Sequence, residues 1–144
     1  MFLALKLDAG AYKPTKAHAT DAGFDLYLKE DLVIKRTQSC LTVDTGVHIL
    51  IPAGFVGLVQ PRSSISKKAF QIHTGVIDAG YTGSIKINIQ WIDKKCNQNL
   101  FHTFERGERI AQLVIVPIPE IEFRQVANLP RTDRGSNGFG SSGR

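Results

Sequence analysis

Apolar and polar side chains alternate along Ser84 to Trp91, SIKINIQW, with Ile85, Ile87, Ile89 and Trp91 on one face and Lys86, Asn88 and Gln90 on the other. A period of two over this length predicts a half-buried β-strand. Further β-rich runs at Val47 to Ile51, Phe55 to Gln60 and Ile110 to Val116 are separated by Pro52, Gly54, Pro61 and Gly107, residues that break or turn a strand. Helical spacing is confined to Ser64 to Phe70. The pattern therefore predicts an all-β fold, an antiparallel β-sandwich or jelly roll with one short helix and no internal repeat.

From Pro117 onward the pattern changes. Pro119 and Pro130 interrupt regular structure, and after Leu129 the chain turns polar and Gly-rich. This divides the chain into a β domain over 1–130 and a C-terminal arm over 131–144, free to close on its own domain or on a neighbouring subunit.

Composition narrows the classes. A chain of 144 residues with 42% hydrophobic and 22% charged residues holds one globular domain, and no apolar run approaches the length of a membrane span. The N-terminal MFLALKLDAG is too short an apolar patch for a signal peptide, so an intracellular protein, cytoplasmic or nuclear and not secreted, is expected. Cys40 and Cys96 form no disulfide framework, and His18, His48, His73 and His102 lack zinc-ligand spacing. A net charge of +5 suits an anionic partner without choosing one.

Five segments carry chemistry. Arg134 to Gly143, RGSNGFGSSG, combines an arginine fork, four Gly, three Ser and one aromatic, Phe139: phosphate donors plus a ring able to stack on a base. Gly135 and Gly140 have P-loop spacing, but Ser141 and Ser142 stand where that motif needs Lys and Ser or Thr. GVIDAGYTG, Gly75 to Gly83, places Asp78 three residues before Tyr81 in a turn, where Gly80 and Gly83 predict a tight hairpin into the SIKINIQW strand. PRSSIS, Pro61 to Ser66, offers Arg62 followed by two hydroxyls. DAGFDLY, Asp21 to Tyr27, and ERGERIAQLVI, Glu105 to Ile115, complete the set. Taken singly, each also fits a surface turn or a strand.

In this order the five segments resemble the five motifs of the trimeric dUTPase family: A-G-x-D-L at Ala22 to Leu26, P-R-S-S at Pro61 to Ser64, G-V-I-D-x-x-Y-x-G at Gly75 to Gly83, G-E-R-I-A-Q-L at Gly107 to Leu113, and the Gly/Ser-rich tail. The resemblance implies a homotrimer of jelly-roll subunits with three active sites, each built from motifs of all three chains. It implies hydrolysis of dUTP to dUMP and pyrophosphate with Mg²⁺, keeping uracil out of DNA and supplying dUMP for thymidylate synthesis, with no nucleic-acid or membrane partner. On the matching residues, Asp78 is the general base and Tyr81 packs on the deoxyribose. Asp25 holds Mg²⁺ through water. Arg62, Ser63, Ser64 and Gln112 orient the triphosphate. Arg134, Ser141 and Ser142 reach the γ-phosphate, and Phe139 with Gly140 closes over uracil. Gly75, Val76, Ile77 and Lys86 fall at the uracil-reading positions, while Ile72, His73 and Lys86 depart from the commonest side chains there. The related dCTP deaminases need a further carboxylate on the strand after the third motif, and no Asp or Glu lies between Asp78 and Asp93. A single-strand-binding β domain needs aromatic platforms where SIKINIQW carries aliphatics.

Overall fold

The computed structural model describes residues 2–92 and 100–136. Its elements are β1 (Ala4–Leu7), β2 (Gly23–Tyr27), β3 (Leu32–Lys35), β4 (Leu41–Asp44), β5 (Val47–Leu50), β6 (Phe55–Pro61), α1 (Ser63–Lys67), β7 (Phe70–His73), β8 (Gly75–Ile77), β9 (Lys86–Trp91), β10 (Phe101–Phe104) and β11 (Arg109–Pro117). A four-stranded sheet runs β2-β11-β6-β8 and a three-stranded sheet runs β4-β9-β7, while β1 pairs with β5 and β10 with β3. All of these pairings are antiparallel.

The alternation in SIKINIQW holds: Ile85, Ile87 and Ile89 are buried while Lys86 and Asn88 are exposed. These isoleucines join Leu26 of β2, Val59 of β6, Leu113 of β11 and Phe70 and Ile72 of β7 in one core shared between the sheets. At one end of that core Phe70 packs edge-on against Phe104, with ring centroids 5.0 Å apart, and tilted against Trp91 at 5.2 Å. The result is the jelly-roll β-sandwich that the pattern predicts. The short helix also forms, at α1, and the N-terminal apolar patch is strand β1 on the edge of β5.

One expectation fails. GVIDAGYTG does not make a hairpin with the following strand: β8 pairs with β6 in the four-stranded sheet, and β9 pairs with β4 and β7 in the other. The turn therefore carries the chain from one sheet to the other. The physical reason lies in Ile85, whose N–H donates to Val47 C=O at 2.8 Å, so the chain leaving the turn is claimed by β5 instead of folding back on β8. Beyond β11 the described chain has no strand, and every residue over 118–136 is exposed.

Candidate active site

Strand β11 lies between β2 and β6, and its Gln112 stands opposite Asp25 on one side and Gln60 on the other. Asp25 is only 7% exposed, a buried carboxylate that needs counter-charge. It has two. Arg62 Nε lies 2.9 Å from Oδ1 and Arg109 Nη1 lies 3.3 Å from Oδ2. Arg62 follows the last residue of β6 and stays extended, with φ −98° and ψ 144°, before the chain coils into α1, so its side chain returns across the sheet edge towards β2. Gln112 Nε2 donates to Pro61 C=O at 3.0 Å, tying β11 to the same corner. Gly23 makes room for that glutamine, since a Cβ there would stand 2.4 Å from Gln112 Oε1.

Asp25, Arg62, Gln112 and Gly23, with Ser63, Asp21, Ala22 and Ala17, line a polar cleft of about 280 Å³. Arg62 and Arg109 face Asp25 and Asp21 lies on the same cleft, so two guanidinium groups stand against two carboxylates, and Ser63 and Ser64 add exposed hydroxyls on the first turn of α1. Fork-shaped donors and hydroxyls at this corner suit the oxygens of an anion, which a hydrophobic pocket would reject.

The second group of residues lies on the loop after β8. Asp78 is exposed, and its C=O accepts from Tyr81 N–H at 3.2 Å, closing the turn. The Tyr81 ring is 43% exposed and lies over Gly83, where a Cβ would come within 2.2 Å of the phenol oxygen. Its hydroxyl donates to Ser84 C=O at 3.2 Å, so one edge of the ring is fixed while the other faces solvent. On β8 itself Val76 is exposed and Gly75 and Ile77 are half-buried against β6.

The two groups do not meet within one chain. Strands β2 and β8 are the opposite edges of the four-stranded sheet, so Asp25 and the Asp78 loop are separated by three strand spacings, roughly 14 Å. Of the remaining positions, Lys86 is exposed on β9 opposite Asp44, and His73 is exposed at the end of β7. Ile72 is 3% exposed and belongs to the core, which explains an aliphatic residue there. Arg134 is exposed on the segment after β11, whereas Phe139, Gly140, Ser141 and Ser142 lie outside the described residues.

Among the described residues no three His, Cys, Asp or Glu side chains gather as a metal nest. A lone carboxylate still suits a hydrated Mg²⁺ held mainly by a bound polyphosphate. Each Asp25 oxygen receives one guanidinium contact and keeps a lone pair for a water. Arg109 was not among the residues singled out from sequence. Strict alternation puts it on the side of Ala111 and Leu113, away from Gln112, but a β-bulge between Arg109 and Ala111 shifts the register and re-aims it at Asp25.

A dUTPase family model matches residues 10–143. The chain is 40% identical over 141 residues to the deoxyuridine 5′-triphosphate nucleotidohydrolase of Nocardia farcinica, covering 96% of this chain and 82% of that protein. A second relative, from Mycobacterium marinum and of the same name, is 40% identical over 96% of this chain and 92% of its own. In structure the chain resembles Staphylococcus bacteriophage 80alpha dUTPase with dUPNHPP, at a TM-score of 0.90 and 37% identity over 99% of both chains. It also resembles a dUTPase of phage phi11 of S. aureus described with a structural Mg(II) ion, at a TM-score of 0.79 and 33% identity over 89% of this chain and 98% of that one. With the five motifs in order on a jelly-roll scaffold, the chain belongs to the dUTPase family.

Proposed function

We propose that the protein is a dUTP diphosphatase that hydrolyses dUTP to dUMP and pyrophosphate with Mg²⁺, in a homotrimer whose active sites are shared between subunits. One observation carries the shared site: Asp25 lies on β2, the edge opposite β8, and Arg62 and Ser63 follow the end of β6 that faces the start of β8, whereas Asp78 leaves β8 at its other end, beside Gly57 and roughly 20 Å away along β6. A nucleoside triphosphate that needs both must draw them from different chains.

In this reading the Asp25 corner takes the triphosphate, with Arg62 as its fork-shaped donor. Arg62 and the hydroxyls of Ser63 and Ser64 stabilise charge that builds on the departing pyrophosphate, and Gln112 helps to orient the chain of phosphates. Asp25 would hold Mg²⁺ through water, and the bound ion would supply neutralisation of phosphate charge and polarisation of the scissile bond. Asp78, exposed on its loop, accepts the proton of the water that attacks the α-phosphorus. The P–O bond to the β-phosphate breaks and pyrophosphate leaves. Tyr81, with its ring held over Gly83, packs on the deoxyribose and leaves no space for a 2′-hydroxyl. Backbone groups of Gly75, Val76 and Ile77 read uracil, with Lys86 nearby, and the tail supplies Arg134, Ser141 and Ser142 to the γ-phosphate and Phe139 and Gly140 over the base. By removing dUTP the reaction keeps uracil out of DNA and provides dUMP for thymidylate synthesis.

The test is a hydrolysis panel of dUTP, dTTP, UTP and dCTP with and without Mg²⁺, run beside Asp78→Asn. Pyrophosphate released from dUTP, with turnover at least about 100-fold lower in the variant, supports the reading. Near-native turnover by Asp78→Asn removes that carboxylate from the mechanism.

A further inference from the structure

The loop that carries Asp78 and Tyr81 is tied at three points to β5 and the residue that follows it. Ile85 N–H donates to Val47 C=O at 2.8 Å, and Gly80 N–H donates to Ile51 C=O at 3.1 Å. Both are backbone bonds, indifferent to pH. Between them the His48 ring closes the third tie, with Nδ1 lying 2.8 Å from Thr82 C=O. Thr82 is the residue next to Tyr81, so this side chain fixes the tip of the loop that the backbone bonds leave unsupported.

The other ring nitrogen, Nε2, lies 3.1 Å from the carboxylate of Asp8, just beyond the end of β1. A carbonyl and a carboxylate only accept hydrogen bonds. An imidazole that satisfies both must therefore carry a proton on each nitrogen. Lys6, directly opposite His48 in the β1–β5 register, is the cation that opposes this charge, and Asp8 is the anion that supports it.

We propose that His48, in its doubly protonated form, is a positioning residue for the Asp78–Tyr81 loop, holding Thr82 to β5 and releasing it when Nδ1 gives up its proton and the remaining one stays on Nε2 against the Asp8 carboxylate. The ring's pKa is raised above its ordinary value, first by the bond to Thr82 C=O and then by the bond to Asp8, against partial burial and Lys6. The clamp is thus fully closed at slightly acid pH and opens as pH rises through that raised value. The proposal rests on the roles given above to Asp78 and Tyr81. A base and a sugar platform displaced by a fraction of an ångström lose rate steeply, so loosening the tip reaches the chemistry without touching the substrate.

The test follows the His48 ring by NMR titration in the native protein, Asp8→Asn and Asp78→Asn, and measures kcat and KM for dUTP against pH in these proteins and in His48→Gln and His48→Ala. Native kcat should fall on the alkaline side with the same midpoint as the ring's titration, and Asp8→Asn should move both midpoints to lower pH. His48→Gln, whose amide donates one bond to Thr82 at every pH, should lose the alkaline fall, while His48→Ala should lower kcat about tenfold across the range. A ring midpoint unmoved by Asp8→Asn, or an alkaline fall that persists in His48→Gln, overturns the clamp. Failure of the underlying reading looks different: Asp78→Asn would then keep its turnover, while the ring's titration and its shift in Asp8→Asn stay as predicted.

Discussion

The two halves of the candidate site are built in opposite ways. The proposed phosphate corner is anchored on strands β2 and β11 and hides its carboxylate: Asp25 is buried, gripped by two arginines, and Gln112 fits where Gly23 has no side chain. The base-and-sugar loop is exposed, and what fixes it is a set of bonds to β5 outside the site. One region holds its shape because breaking it strands a buried charge; the other can be altered at its tip without cost to the core. Substitution of the buried Asp25 should register in stability as well as in rate, and substitutions in the loop in rate and selectivity with little change in stability.

The largest effect should come from Asp25→Ala. Removing it leaves Arg62 facing a buried corner without its anion, a class of change that costs about 3–5 kcal/mol, and the half-exposed Arg109 puts this case at the lower end. Asp78→Ala should stay within about 0.5 kcal/mol of native by denaturant unfolding, as expected for an exposed residue. Equal destabilisation by the two would erase the contrast. On the loop, Tyr81→Ala should lower the ratio of kcat/KM on dUTP to that on UTP by roughly 10- to 200-fold, the worth of burying an unsatisfied hydroxyl, with selectivity against dTTP preserved. An unchanged ratio returns Tyr81 to a packing role over Gly83.

A smaller effect separates both regions from the aromatic end of the core. His102 Nε2 is buried without a hydrogen-bond partner among the described residues, and the ring packs on Phe104 at 4.5 Å. Burial, and then the charge of Lys68, lower its pKa from 6.5. The fold therefore favours the neutral ring, and the unfolded chain binds more protons as pH drops below 6.5. Stability contributed by the neutral ring is complete above that value and is lost as pH falls towards the lowered one. Unfolding free energies of native protein and His102→Gln should diverge as pH falls through 6.5, with the native protein losing more. Parallel losses would mean that the ring accepts its proton as readily folded as unfolded.

The smallest effect belongs to Ala69, which follows α1 and its C-cap Lys68 at φ +62°, a left-handed position that glycine takes without strain. Ala69→Gly should raise stability by at most about 1 kcal/mol, measured by the same unfolding method. A loss would show that the Ala69 methyl contributes packing that outweighs the strain.

The sequence revealed these regions unequally. Strand β9 was legible because its isoleucines alternate without interruption. Strand β2 was legible only as a motif, since Asp25 occupies a buried position in GFDLY and reads as polar where the pattern needs apolar. Strand β1 hid because its edge position leaves all four residues exposed, and β8 because it is three residues long. The motif residues stood out by type and spacing. Arg109 did not, because a bulge re-aims it, and neither did His48, whose partners Asp8 and Thr82 are forty and thirty-four residues away in sequence.

The central claim is that a complete site takes its phosphate corner and its loop from different chains. It is tested most directly by mixing Asp78→Asn chains with Ser63→Ala chains. Each homotrimer should be crippled, by about 100-fold for a lost base and by a similar order for a lost donor to the leaving phosphates. Random reassembly should then restore up to about a quarter of native activity, since about three-quarters of the trimers are mixed and each holds one intact site of three. Recovery near that level is the result predicted. No recovery, in mixtures shown by mass spectrometry to contain both chains in one oligomer, would mean that Asp78 and Ser63 serve the same site from the same chain, and would contradict the account.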